Sequence, residues 1–319
     1  MEGPEEIKKF LSQNNEGKSL TREELLKQVE AARALFKATD EKREAGLPHE
    51  IPEVDQFNDL LYGLDPKYNL LDVYLPSERQ AGSPIPVIIN IHGGGWIYGT
   101  KETYQIYCLS LAKYGFAVVN ASYRLAPSVQ FPAELEDLNQ VFQWICKPEH
   151  AERYQLDLKN IFVIGDSAGA QMAEQLLVAY TNSEYRKHFG YQVPKLNIKA
   201  AVLNCGAYLL AQTDYMAGPS EIYFTPEVRI KNHDQLNAEK YLTSKMPPLF
   251  LMTATEDFLR DSTFLLSGYL RAKGIYHELH SYGDSDAPRL HDFQLHLDDP
   301  IATKCTSEEI EFFRKYMSS

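Results

Sequence analysis

Apolar side chains recur at helical spacing in the first part of the chain. Leu25, Val29, Ala32, Leu35 and Phe36 form one stripe on an otherwise charged segment, the pattern of an amphipathic helix. Its start is legible as well. Thr21 is an N-cap, Glu24 its capping-box partner, and Leu20 and Leu25 a hydrophobic staple. A shorter helix is predicted over residues 5–11, and Gly46-Leu47-Pro48 closes the section. No strand separates the two helices, so residues 1–50 read as a helical arm that must pack on something larger.

Beyond about residue 68 the pattern changes to strands alternating with helices. Short apolar runs at 70–75, 87–91, 117–122, 161–164, 200–203, 249–252 and 276–282 predict strands. Several have no polar break, as strands buried on both faces should. Helical segments over 103–113, 134–145, 171–180 and 262–273 separate them. This alternation predicts an α/β fold with a wound, parallel sheet. Reactive groups in such sheets sit in loops beyond the carboxyl ends of the strands. Residues 207–245 break the alternation; they are rich in Tyr, polar residues and turn formers, and read as an insertion between two strands.

Composition narrows the function classes. The 319 residues are 44% apolar, enough for a large core, and the formal charge is −12. That sign opposes nucleic acid and anionic membrane surfaces as partners. No run reaches the roughly 18 apolar residues of a membrane span, and the acidic start Met1-Glu2-Gly3-Pro4-Glu5-Glu6 lacks the form of a signal peptide. Cytoplasm is the expected compartment. Cys108, Cys146, Cys205 and Cys305 lie far apart, without metal-like spacing, and are expected as reduced thiols in or near the core.

Two motifs carry chemistry. After the run 161–164 comes Gly165-Asp166-Ser167-Ala168-Gly169, followed by a helix. Glycines on both sides permit a sharp strand-to-helix turn that lifts Ser167 above the sheet, with the Ala168 N–H opening the helix. After the run 87–91 comes His92-Gly93-Gly94-Gly95-Trp96. Successive glycines leave N–H groups uncovered, as an oxyanion-binding loop requires. A Walker loop or dinucleotide fingerprint would need residues that are absent here. His92 itself reads as a tie for the loop rather than as a base.

His92–Trp96, then Tyr123-Arg124-Leu125-Ala126-Pro127 with Phe131-Pro132-Ala133 and Glu136-Asp137, then Gly165–Gly169, resemble the hormone-sensitive-lipase-like branch of the α/β-hydrolases. The resemblance covers roughly residues 68–317. It implies carboxylesterase activity, a mostly parallel sheet of about eight strands with helices on both faces, and a helical cap, with no cofactor and no metal. On that reading the arm 1–50 and the insertion 207–245 form the cap, and residues 51–319 the catalytic domain.

In this fold the acid and the base follow the nucleophile. The family's acid lies in a D-x-L-x-D pattern just past the strand 249–252, which maps it to Asp257, with Glu256 competing and Asp261 inside the next helix. Of four later histidines, His277 and His280 fall within a strand, where cross-strand packing is their ordinary role. His291 heads His291-Asp292-Phe293, matching the family's His-x-Phe; His296 is the runner-up. Ser167, Asp257 and His291 are thus the expected triad. Gly94, Gly95 and Ala168 are the expected oxyanion donors, with Gly93 a substitute.

The expected substrate is a small ester with a short acyl chain. An aryl-formamide hydrolase, a sugar-ester deacetylase or feruloyl esterase, and a non-catalytic ligand-binding homologue remain alternatives on the same fold. A homodimer is compatible with the resemblance alone.

Overall fold

The computed structural model describes residues 20–190 and 192–318; the helix expected over residues 5–11 lies outside them. The strands are β1 (Val54–Leu61), β2 (Leu70–Pro76), β3 (Ile85–Ile91), β4 (Ala117–Ala121), β5 (Leu156–Asp166), β6 (Ile198–Asn204), β7 (Leu249–Ala254) and β8 (His277–Tyr282). The helices are α1 (Arg22–Glu44), α2 (Gln105–Ala112), α3 (Ala133–Ile145), α4 (Pro148–Arg153), α5 (Ala168–Thr181), α6 (Ser183–Arg186), α7 (Pro226–Lys231), α8 (Arg260–Ala272) and α9 (Pro300–Lys315). All eight strands form one sheet in the order β1-β2-β4-β3-β5-β6-β7-β8. β2 runs antiparallel to both β1 and β4, and every other pair is parallel. This is the α/β-hydrolase fold.

The nearly unbroken apolar runs have a direct cause. In β3, Val87, Ile89 and Ile91 face one core while Ile88 faces the other; in β5, Ile161 and Val163 oppose Phe162 and Ile164. Side chains alternate across a strand, so a sheet covered on both faces calls for apolar residues at nearly every position, or polar ones that pair with each other as Asn90 does with Asn120. Met172 and Leu176 of α5, Leu138 and Phe142 of α3 and Leu266 of α8 cover the first face. Leu109 of α2 and Ile310 and Phe313 of α9 cover the second.

Two elements of eight residues or more have no counterpart in the sequence prediction. β1 is an edge strand in which only Val54 is buried. Its register shifts between Phe57 and Leu60, so neither an apolar run nor a clean alternation marks it. The buried stripe of α9 carries Thr306 and Glu309, which hides its apolar periodicity.

Glu309 lies at the centre of that second core, where its Oε1 accepts from Asn204 Nδ2 at 2.9 Å. Burial pushes its carboxyl from 4.5 up to about 7, against the opposing effect of Asn204 and Cys305. A raised acid stabilises the fold below its unfolded value and loses that contribution as pH rises through the folded one. Glu309 is therefore expected to cost on the order of 3 kcal/mol of stability between pH 4.5 and about 7. In Glu309→Gln, which cannot titrate, thermal melts should lose that part of their decline. An identical decline would remove Glu309 as its source.

α1 starts as expected: Thr21 Oγ1 accepts from Glu24 N, and the Glu24 carboxylate accepts from Thr21 N. Its length is tied to loops at the carboxyl end of the sheet. Arg33 donates to Ile97 O and Ala126 O, both at 2.7 Å, and Arg43 to Thr103 O at 3.0 Å. The Tyr98 hydroxyl donates to Asp40 at 2.8 Å. Residues 207–245 hold 3₁₀ turns and α7 but no strand, and α1 packs on the turn Gly218–Ile222. No helix among the described residues is long and apolar enough to cross a membrane. All four cysteines are free; Cys108, Cys205 and Cys305 are buried and Cys146 partly so.

Candidate active site

β5 ends in the turn that presents Ser167. Its backbone lies at φ 53, ψ −121, a region L-residues avoid, and its N–H is held by Asn204 O at 2.8 Å. The flanking glycines are required by contact. A Cβ on Gly165 would meet Gly169 O at 2.7 Å, and one on Gly169 would meet Ile91 O at 2.0 Å. Both are backbone atoms, which cannot swing aside. Gly169→Ala is expected to push α5 off β3 and lower stability by about 1–3 kcal/mol. A melting temperature equal to that of the unsubstituted protein would show the crossing to be looser than this contact implies.

The residues expected as nucleophile, base and acid meet above the sheet. His291 Nε2 lies 3.0 Å from Ser167 Oγ, and His291 Nδ1 lies 2.7 Å from Asp257 Oδ1. Asp257 is further held by Leu259 N–H at 2.9 Å and the Thr253 hydroxyl at 2.8 Å. Burial alone would raise its carboxyl, but His291 and these donors outweigh it and hold Asp257 below its ordinary value. Glu256 is exposed, its backbone bridged to the loop ahead of His291. His277 bonds Ser267, and His280 stacks on Phe250. His296 lines the same cavity as Ser167 but is not bonded to it.

The glycine loop follows β3 and lies beside Ser167. Gly94 and Gly95 have φ values of 112° and 60°, which glycine adopts without strain. Gly93 N–H donates to the Tyr104 hydroxyl at 3.0 Å, so it is occupied. The N–H groups of Gly94, Gly95 and Ala168 have no acceptor among the described residues. His92 is fully buried, stacked on Tyr123 at 4.1 Å, with Nδ1 on Gly93 O at 2.8 Å. Burial lowers it to about 4, which suits a neutral tie for the loop.

Ser167 opens onto a cavity of about 410 Å³. Phe36 and Arg43 of α1, Tyr215 and Pro219 of the 207–245 segment, and Phe258 beside His291 contribute to its wall. Cys205, Asp257 and His291 bring ligating atoms within 4.8 Å of one another. Burial pushes the Cys205 thiol well up, which disfavours the thiolate a metal ion would need.

Sequence reasoning did not find Asp292, whose Oδ2 lies 3.0 Å from His291 Nε2, nor Tyr104, which bonds Asp166 at 2.5 Å. The position of Asp166 and Asp292, each adjacent to a triad residue, was the available signal.

Comparison with known proteins agrees with this fold. The model of the BD-FAE family matches residues 71–262. The chain is 28% identical to esterase LipI of Mycobacterium tuberculosis over 227 residues, 66% of this chain and 67% of that one. It is 35% identical to arylacetamide deacetylase of Bos taurus over 112 residues, 33% of this chain and 28% of the other. In three such relatives the match spans 53%, 28% and 43% of their own length. Among solved structures, esterase B of Lactobacillus rhamnosis superposes with a TM-score of 0.82 at 25% identity, over 92% of this chain and 95% of that one. The resemblance to hormone-sensitive-lipase-like α/β-hydrolases therefore holds, and the chain belongs to the BD-FAE family.

Proposed function

We propose that this protein is a serine carboxylesterase that hydrolyses small, short-chain esters through Ser167, His291 and Asp257. The observation that carries the reading is the unbroken line of hydrogen bonds from Asp257 through His291 to a serine facing a cavity. The relatives named as esterases support the bond class.

The mechanism follows from the positions. Ser167 Oγ attacks the ester carbonyl as His291 Nε2 takes its proton, while Asp257 fixes the tautomer and steadies the imidazolium. The carbonyl oxygen becomes negative at the moment of attack. The free N–H groups of Gly94, Gly95 and Ala168 are its donors, each worth about 3 kcal/mol in such sites. His291 returns the proton to the departing alcohol, and water repeats the attack on the acyl-enzyme.

α1 and residues 207–245 form the cap in this reading, over a catalytic domain of residues 51–319. Phe36, Tyr215 and Pro219 close the cavity from that side, and its volume of about 410 Å³ suits an acyl chain of a few carbons rather than a long lipid tail.

The test is a rate profile over p-nitrophenyl esters of increasing chain length, run beside N-formyl and acetylated-sugar substrates. The expected profile peaks at short chains, and a fluorophosphonate probe labels Ser167. Faster cleavage of long-chain emulsions would overturn the size assignment. Absence of both labelling and turnover would favour a ligand-binding homologue.

A further inference from the structure

Two carboxyl groups that the triad does not use meet beside the imidazole. Asp292 follows His291 in the left-handed region, at φ 55, ψ 32. Its Oδ2 lies 3.0 Å from His291 Nε2, the nitrogen that also meets Ser167 Oγ at 3.0 Å. Its Oδ1 is buried and has no hydrogen-bond partner among the described residues. Against Asp292 stands the side chain of Asp166, itself buried and close enough to be raised by it.

Ionised carboxylates only accept hydrogen bonds and repel each other, so two buried side by side favour keeping a proton on one of them. Burial first, and Asp292 second, push Asp166 well above the usual carboxylate range, which makes Asp166 the proton holder. Its Oδ2 accepts from the Tyr104 hydroxyl, and that hydroxyl accepts from Gly93 N–H. Hydrogen bonds thus run from the glycine loop through Tyr104 to Asp166, which stands against Asp292 beside the base.

We propose that Asp292, backed by the buried side chain of Asp166, is a second carboxylate partner of the imidazole and sets the pH at which His291 Nε2 can take the proton of Ser167. The proposal rests on the triad reading above. In the resting site Nε2 carries the proton with Ser167 Oγ and Asp292 Oδ2 each 3.0 Å away, and the imidazolium stands between two negative charges. Burial opposes charge on the ring, but Asp292 and Asp257 outweigh it and push His291 up to about 10. Loss of that single proton to solvent frees the Nε2 lone pair for the Ser167 hydroxyl. After attack the proton is again on Nε2, where Asp292 steadies it until the departing alcohol takes it.

The surroundings leave this pairing uncontested. Cys205 faces both Asp257 and Asp292, and Tyr215 faces Asp257; burial pushes both upward, so they stay neutral. Arg43 acts on Tyr104 and His296 from the far side, but its guanidinium is paired with Asp40 and Glu44. His291 is the cation paired with Asp292 among the described residues.

Asparagine also accepts the left-handed backbone, so Asp292→Asn keeps the shape and removes the charge. The measurement is kcat/KM against pH for p-nitrophenyl acetate. The rising limb of the variant should lie at least one pH unit below that of the unsubstituted enzyme, about tenfold in rate on the limb per unit, with KM little changed. Coincident limbs would overturn the proposal. Asp292→Ser is the second uncharged variant and should move the limb in the same direction.

NMR titration of the His291 ring in the whole, histidine-labelled protein requires no turnover. An alkaline midpoint that falls in Asp292→Asn supports the role of Asp292 even if no ester is cleaved, in which case the esterase reading alone fails. A midpoint at or below 7 in the unsubstituted protein would overturn the proposal whether or not either variant folds.

Discussion

Ser167→Ala should lower kcat on a soluble short-chain aryl ester by about 10⁵–10⁶-fold, to the residual rate that binding and oxyanion donors alone support. The change removes one atom from the site. Ser167 Oγ is bonded to His291 Nε2, while the backbone N–H on Asn204 and the φ of 53° belong to the turn and not to the hydroxyl. Alanine in that turn carries the same backbone strain as serine, so stability should stay within about 0.5 kcal/mol. Turnover and thermal melts are measured on the same preparation. A variant that melts normally and still hydrolyses the ester would remove Ser167 as nucleophile. Lost activity with a lowered melt would implicate the turn instead.

Asp257→Asn is the second large effect, a fall in kcat of about 10⁴-fold with the fold retained. The carboxylate takes three donors, from His291 Nδ1–H, Leu259 N–H and the Thr253 hydroxyl. An amide offers one acceptor oxygen in their place. Turned toward His291, its NH₂ would demand the wrong tautomer and leave Nε2 protonated when Ser167 needs a base. The same substitution has a sign in pH. Because Asp257 is held below its ordinary 3.8 in the fold, its stabilising contribution is present above that value and is lost as pH falls through the folded one. Acid melts of the variant should therefore lack that loss. A rate within tenfold of the unsubstituted enzyme would shift the acid role away from Asp257.

The parallel half of the sheet was legible because burial on both faces leaves a nearly continuous apolar run at β3, β4, β5, β6 and β7, broken in β3 and β4 by Asn90 and Asn120, which bond each other. Ser167 and the glycine loop were legible because glycines at 165, 169, 94 and 95 mark backbone that other residues cannot adopt or approach. β1 was not, since an edge strand with one buried residue leaves no run to count. The contributions of Asp166, Tyr104 and Asp292 were hidden for another reason. Tyr104 and Asp166 meet across 62 residues of chain, and an acid beside a catalytic residue, as Asp166 and Asp292 are, looks in sequence like any other of the 44 acids. The same holds for Arg33 and Arg43, which on a charged helix read as solvated and instead hold the carbonyls of three loop residues.

Buried acids alter what the formal charge of −12 means for the folded molecule. Glu134, Asp166, Glu174, Glu239 and Glu309 are all raised, chiefly by burial. The folded chain therefore retains protons that the unfolded chain would release near neutrality, and it is less negative than its composition states. Denaturation in neutral solution should then liberate hydrogen ions into the buffer. Calorimetric unfolding enthalpies should differ between phosphate and Tris at one pH by the difference in buffer protonation heat, scaled by the number of protons released.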